Sequence, residues 1–133
     1  MVGEWPVCWE EKLEVGTKDH HVGIATLWTP RAKIVRELNP EDYAIIGQLY
    51  SSEEGVNAII RNCLANTHIQ HVLLTGIDLS HSADVLLNLS KNGINGNHEI
   101  IGSEEFKIHK EIPKEEVETF RANVQIHDLR SFK

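Results

Sequence analysis

Val72-Leu73-Leu74-Thr75-Gly76-Ile77-Asp78-Leu79-Ser80-His81 is the stretch from which the fold can be read. Val72, Leu73 and Leu74 run without polar alternation, as expected of a central strand covered on both faces. Gly76 then allows a turn. From about Ser82 to Lys91 the period changes: Val85, Leu86 and Leu89 fall on one side of a helix, and Gly93 stops it. A strand, a glycine turn and a helix form the first half of a βα unit. In an open α/β sheet, ligands bind where strands end and helices begin. His81 stands at that junction.

The same alternation extends in both directions. Upstream, Gly23 to Trp28 is a short apolar run and a first strand, broken by Thr29-Pro30. Ala32 to Leu38 fits a short helix with Ile34, Val35 and Leu38 inward, and Asn39-Pro40 marks a turn. Tyr43 to Gly47 is a second strand. Gln48 to Glu54 is polar and ends at Gly55. Val56, Ile59, Ile60, Cys63 and Leu64 then recur at helical spacing, and Asn66-Thr67-His68 closes that helix. Downstream, Glu99 to Gly102 is another strand. Pro113 suits the first turn of a last helix that buries Val117 and Phe120. Val124 to Leu129 alternates as a final edge strand. Residues 1–21 read as an extended arm anchored by Trp5-Pro6-Val7 and Trp9. Strands alternating with helices imply right-handed βαβ units and a mostly parallel sheet. The expected fold is one domain, residues 1–133, of small three-layer, Rossmann-like α/β architecture.

Composition narrows the function. The chain has 133 residues, 41% hydrophobic and 25% charged, which suits a folded core. Its net charge of -7 argues against a nucleic-acid surface and against a polybasic membrane patch. No apolar run approaches the roughly 20 residues that span a bilayer, and no signal peptide is visible. The expectation is a soluble, cytoplasmic protein with Cys8 and Cys63 reduced. Cys63 falls on an apolar helix stripe and reads as a core residue.

His81 carries the sharpest chemistry. The positive end of a helix dipole favours neutral imidazole, the form that binds a metal. Asp78 and Asp84 are both placed to fix its tautomer. The plainer reading, a helix cap or a solvent-facing histidine, is the one that spacing alone favours. His20, His21, His68, His71, His98, His109 and His127 show no zinc spacing, and His68 and His71, flanking a strand start, read as exposed. The turn Gly47-Gln48-Leu49-Tyr50-Ser51-Ser52-Glu53-Glu54-Gly55 could hold a polar ligand group on backbone N–H groups. An ordinary loop capped by Ser51 or Ser52 explains it equally well. It lacks G-x-G-x-x-G and the P-loop lysine. No nucleophile–base signature is present, and Glu10-Glu11, Glu104-Glu105 and Glu115-Glu116 read as solvated faces.

Several pieces occur in a telling order: Trp5-Pro6-Val7; Gly47 to Gly55 followed by Val56 to Asn66; Thr67-His68-Ile69 into Val72 to Gly76; Asn92-Gly93; Ile100-Ile101-Gly102; and Ile112 to Phe120 followed by Val124 to Leu129. Over nearly the whole chain this series resembles the soluble domain of the MtrA subunit of tetrahydromethanopterin S-methyltransferase, a corrinoid protein of archaeal methanogenesis. The resemblance implies a domain that binds a cobamide and carries a methyl group on cobalt. It makes His81 the axial cobalt ligand. The cofactor rim would come from Trp28, Thr29, Gly47, Gln48, Leu49, Tyr50, Ser51, Ser52, Glu53, Gly76, Asp78, Ser80 and Gly102. The chain would be a non-catalytic carrier, loaded with methyl by one methyltransferase partner and unloaded by a second. Self-association is left open. Membrane-bound members of the family carry a C-terminal transmembrane helix, and this sequence ends at Lys133 without one, as a soluble homologue or a trimmed form would.

The sequence also departs from the family. Trp28 stands where relatives carry glycine, His81 lies one position nearer Gly76, and Leu49 and Tyr50 replace smaller or more polar residues; the more familiar cobalamin motif D-x-H-x-x-G is also absent, Asp78 and His81 being spaced D-x-x-H. These departures favour an alternative: an interaction or regulatory module that has lost the corrinoid and serves a pterin- or folate-linked enzyme.

Overall fold

The computed structural model describes residues 5–8, 13–49, 51–78 and 81–130. Trp9, Glu10-Glu11, Tyr50 and Ser80, all named above, lie outside the described residues. The elements are β1 (Leu13–Val15), β2 (Val22–Ala25), α1 (Arg31–Val35), a 3-10 turn (Pro40–Asp42), β3 (Ile45–Gly47), α2 (Glu54–Ala65), β4 (His71–Leu74), α3 (Ser82–Asn92), β5 (Glu99–Ile100), β6 (Ser103–Lys107), α4 (Lys114–Asn123) and β7 (Gln125–Asp128).

The protein is mixed α/β. Its main sheet has five strands in the order β1-β3-β2-β4-β7. β3, β2, β4 and β7 are mutually parallel, and β1 adds antiparallel to β3. From β2 the chain winds outward to β3, then crosses back through α2 to β4 on the other side of β2. The winding direction therefore reverses between β2 and β4. That reversal is the point where an α/β sheet of this kind opens to a ligand.

Side chains alternate across the sheet. Ala25, Val72 and Leu74 join Val56, Ile60, Cys63, Val85, Leu86, Leu89, Val117 and Phe120 in one buried cluster, so α2, α3 and α4 all cover the same face. On the opposite face Ile46 is fully buried outside the main cluster, and the five residues of α1 include none that is buried. The expectation that β4 is covered on both faces fails in part. Val72 and Leu74 are buried, but His71 and Leu73, on the other face, are only half-buried.

The helices follow their apolar periods. α3 ends at Gly93, whose φ of +80° suits a residue without a Cβ. α4 begins after Pro113 and buries Val117 and Phe120. Several expectations need correction. The first strand stops at Ala25. Thr26 Oγ1 donates 2.7 Å to the Thr29 carbonyl, and Leu27, buried, takes a left-handed φ of +59°. The short helix ends at Val35 because none of its side chains reaches the core to hold another turn. Gly55 is in the first turn of α2 instead of closing the preceding loop, and Glu53 takes the cap position in place of Ser51 or Ser52. The strand expected at 99–102 is the first arm of a hairpin, β5–β6, outside the main sheet. The N-terminal arm also contributes an unexpected strand, β1. Trp5 is buried, and its Nε1 donates 2.8 Å to the Asn62 carbonyl, while Val7 N and Cys8 N donate to Asn62 Oδ1.

Candidate functional site

Three loops meet at the C-terminal ends of β2, β3 and β4, and main-chain hydrogen bonds stitch them together. Trp28 N donates 2.8 Å to the Ile77 carbonyl. Ile77 N returns a bond of 3.1 Å to Thr29 Oγ1. Thr26 N donates to the Gly47 carbonyl, and Gln48 Nε2 reaches the Trp28 carbonyl at 3.4 Å. Ser52 Oγ and Ser82 Oγ are 3.2 Å apart, tying the third loop to the start of α3.

Gly76 makes this closeness feasible. Its φ is +94°, and a Cβ there would press on the Thr26 carbonyl and stand 2.6 Å from Thr29 Oγ1. The stitched loops push two apolar side chains outward: Trp28 is 42% exposed and Ile77 is 63% exposed.

His81 follows on the same rim. It takes a left-handed φ of +60° at the entrance of α3, and its side chain is 81% exposed. Its Nδ1 lies 3.5 Å from Asp84 Oδ2. Asp78 does a different job from the one expected of it. Its two carboxylate oxygens accept from Ser82 N and Ala83 N at 3.1 Å each, capping the helix in place of His81. Among the described residues, Asp84 is the one left beside the imidazole.

Arg130, which spacing gave no reason to single out, ties this corner together. Its guanidinium donates to Asp128 at the end of β7, to Asp84 at 3.0 Å and to Asp78 at 3.3 Å. The Arg130 hydrogen bonds hold the Asp128 carboxyl below the usual carboxylate range. The same partners raise the guanidinium pKa still further. Asp84 is thus fixed between a permanent cation and the His81 ring.

Not every expected rim residue comes to this place. Trp28, Thr29, Gln48, Ser52, Gly76, Asp78 and His81 do. Gly47 is buried, with Leu13 packed where its Cβ would be, and Leu49 lies in the core. Glu53 turns away and accepts from Lys107 N in the hairpin. Ser51 is half-buried beside it at the entrance of α2. Gly102 is distant from the loops: its carbonyl accepts from Asn88 Nδ2, about 10 Å along α3 from His81 at 1.5 Å per residue. Beneath α2 a cavity of about 60 Å³ is lined mainly by apolar and small residues, among them Gly23, Ala25, Gly47 and Ala58. That is room for a water or two, far from enough for a cofactor.

Residues 1–132 match the family model MtrA, described as a subunit of tetrahydromethanopterin S-methyltransferase, and the chain belongs to that family. No curated protein matches it. Among the described residues, no helix is long and apolar enough to cross a membrane.

Proposed function

We propose that this member of the MtrA family of tetrahydromethanopterin S-methyltransferase is a corrinoid-binding methyl carrier, with His81 as the axial ligand of cobalt. Family membership supports a place in a multi-subunit methyltransferase. The single observation that carries the finer reading is the placement of His81: an outward imidazole at the sheet's switch point, with Nδ1 3.5 Å from Asp84 Oδ2. A carboxylate on one ring nitrogen fixes the tautomer that offers the other to a metal.

The residues fit a macrocycle resting on the rim better than one sunk into a crevice. The Trp28–Ile77 hydrogen bond joins the β2 and β4 loops at the sheet's end, and the exposed Trp28 and Ile77 side chains offer an apolar shelf on the same rim as the imidazole. When bound, a cobamide would supply a cobalt that accepts and releases a methyl group. The chain's own task is then positional. His81 would offer a ring nitrogen to the metal, Asp84 stands beside its Nδ1, Arg130 holds Asp84 in place, and Asp78 caps the end of α3 from which His81 projects. Methyltransferase partners would load and unload the methyl group, and a cytoplasmic setting goes with that role.

The test is reconstitution with hydroxocobalamin, followed by the visible spectrum. The wild type should take up the corrinoid and show a histidine-ligated spectrum. His81→Ala should lose that signature. Unaltered spectra in His81→Ala would remove the ligand assignment.

One observation favours the second reading, a module without corrinoid that serves a pterin- or folate-linked enzyme. The same exposed Trp28–Ile77 shelf would suit an apolar partner protein, and main-chain hydrogen bonds join the loops beneath it. A colourless protein that takes up no hydroxocobalamin, yet retains a methyltransferase partner, would establish it.

A further inference from the structure

A second cluster of histidines lies on the face of the sheet that the large helices leave bare. His71 opens β4, and His127 lies on the neighbouring parallel strand β7. In the register His71 pairs with Gln125, and Leu73 with His127. Side chains alternate, so His71, Leu73, Gln125 and His127 share one face, opposite Val72 and Leu74. α2, α3 and α4 pack on the Val72–Leu74 side. His71 Nδ1 and His127 Nε2 are 3.0 Å apart, and the ring centroids are 5.1 Å apart with a tilt of 40°. Both side chains are half-buried, which limits their rotamers while leaving the ring edges open to solvent.

We propose that His71 and His127 form a bidentate site for a borderline divalent transition cation of the zinc, nickel or copper type. Imidazole nitrogen suits these ions and not magnesium or calcium. Two bonds of about 2.1 Å to nitrogens 3.0 Å apart subtend about 90°. That bite matches cis positions of a square-planar or octahedral centre, and small ring rotations widen it toward the tetrahedral angle. Binding replaces the shared ring hydrogen bond, with each neutral imidazole turning a lone pair to the cation. Gln125, directly across from His71, can add its carboxamide oxygen. Among the described residues no three histidine, cysteine or acidic side chains converge on one point, so water fills the remaining positions. The net charge of -7 raises the local concentration of cations. The site is separate from His81 and stands or falls independently of the corrinoid reading.

The experiment is calorimetric titration of untagged protein with zinc chloride and with nickel chloride near pH 7.5. The wild type should bind one equivalent saturably. His71→Gln and His127→Gln should each weaken binding at least tenfold, and His68→Ala should bind as the wild type does. As a check that needs no variant, substoichiometric nickel should broaden the ring resonances of His71 and His127 before those of the other histidines. Absence of saturable binding, wild-type affinity in either glutamine variant, or first broadening at His20, His21 or His68 would overturn the site.

Discussion

Gly76 holds a backbone conformation that other residues enter only at a cost, and it does so where two loops touch. Its φ of +94° and the nearby Thr29 side chain leave no room for a Cβ. Gly76→Ala should therefore destabilise the fold by about 2–4 kcal/mol, the sum of a left-handed penalty and local overpacking. Urea unfolding measures the loss. Loss of the Trp28–Ile77 stitch should also raise amide exchange at Trp28 and Ile77, so unchanged stability and exchange would contradict the close approach. Cys63 makes a second case. Burial pushes its thiol up to about 12, so it stays protonated at neutral pH. Iodoacetamide at pH 8 should leave Cys63 unlabelled in the native protein and modify it once the chain is unfolded in urea. Native labelling at Cys63 would show that α2 opens.

Elements with a long apolar period were legible in the sequence; elements defined by pairing or by buried polar groups were not. α2, α3 and α4 each span ten or more residues, so the helical period repeats enough times to be recognised. β1 is three residues long and exists because it pairs with β3, a contact with no local signature. β6 is Ser-Glu-Glu-Phe-Lys, mostly exposed, and hides its strand character behind charges. Asn57 and Asn62 fall outside the expected helix stripe, yet both are buried. Asn57 Oδ1 accepts from His109 N at 2.7 Å, and its Nδ2 donates to the Lys107 carbonyl, pinning the hairpin's exit to α2. Asn62 does the same for the N-terminal arm. Asn57→Leu should cost about 1–3 kcal/mol by orphaning these main-chain groups. The loss should appear as a lower urea midpoint with added proteolysis between β6 and α4. Asn62→Leu should expose the arm to protease instead.

On the scale of the whole molecule, the site's legibility split in the same way. The resemblance and the strand–turn–helix pattern pointed to His81 and the loops around Gly76. Arg130, 46 residues beyond Asp84, could be found only once the sheet placed the end of β7 beside the start of α3. That ion cluster gives the protein a pH dependence with a definite sign. The Asp128 carboxyl is held below its ordinary value in the folded state, chiefly by Arg130 hydrogen bonds. Its contribution is therefore present above the unfolded Asp pKa of about 3.9 and is lost as pH falls through the lower folded value. Asp128 is partly exposed, so solvent screens the effect. Arg130→Met should be less stable than the wild type at pH 7, and the gap should narrow below pH 4. A constant gap across that range would show that Arg130 acts through packing of its stem and not through charge.

Main-chain atoms supply much of the stitch between the β2 and β4 loops: Trp28 N, the Ile77 carbonyl and Ile77 N, with Thr29 Oγ1 as a side-chain acceptor. Each of these links at positions 28 and 77 uses a backbone atom that any residue but proline supplies. The rim can accordingly be re-faced, residue by residue, while its supports stay put. A lineage could exchange a glycine for a tryptophan at position 28, change what the surface recognises, and leave the scaffold beneath it unaltered.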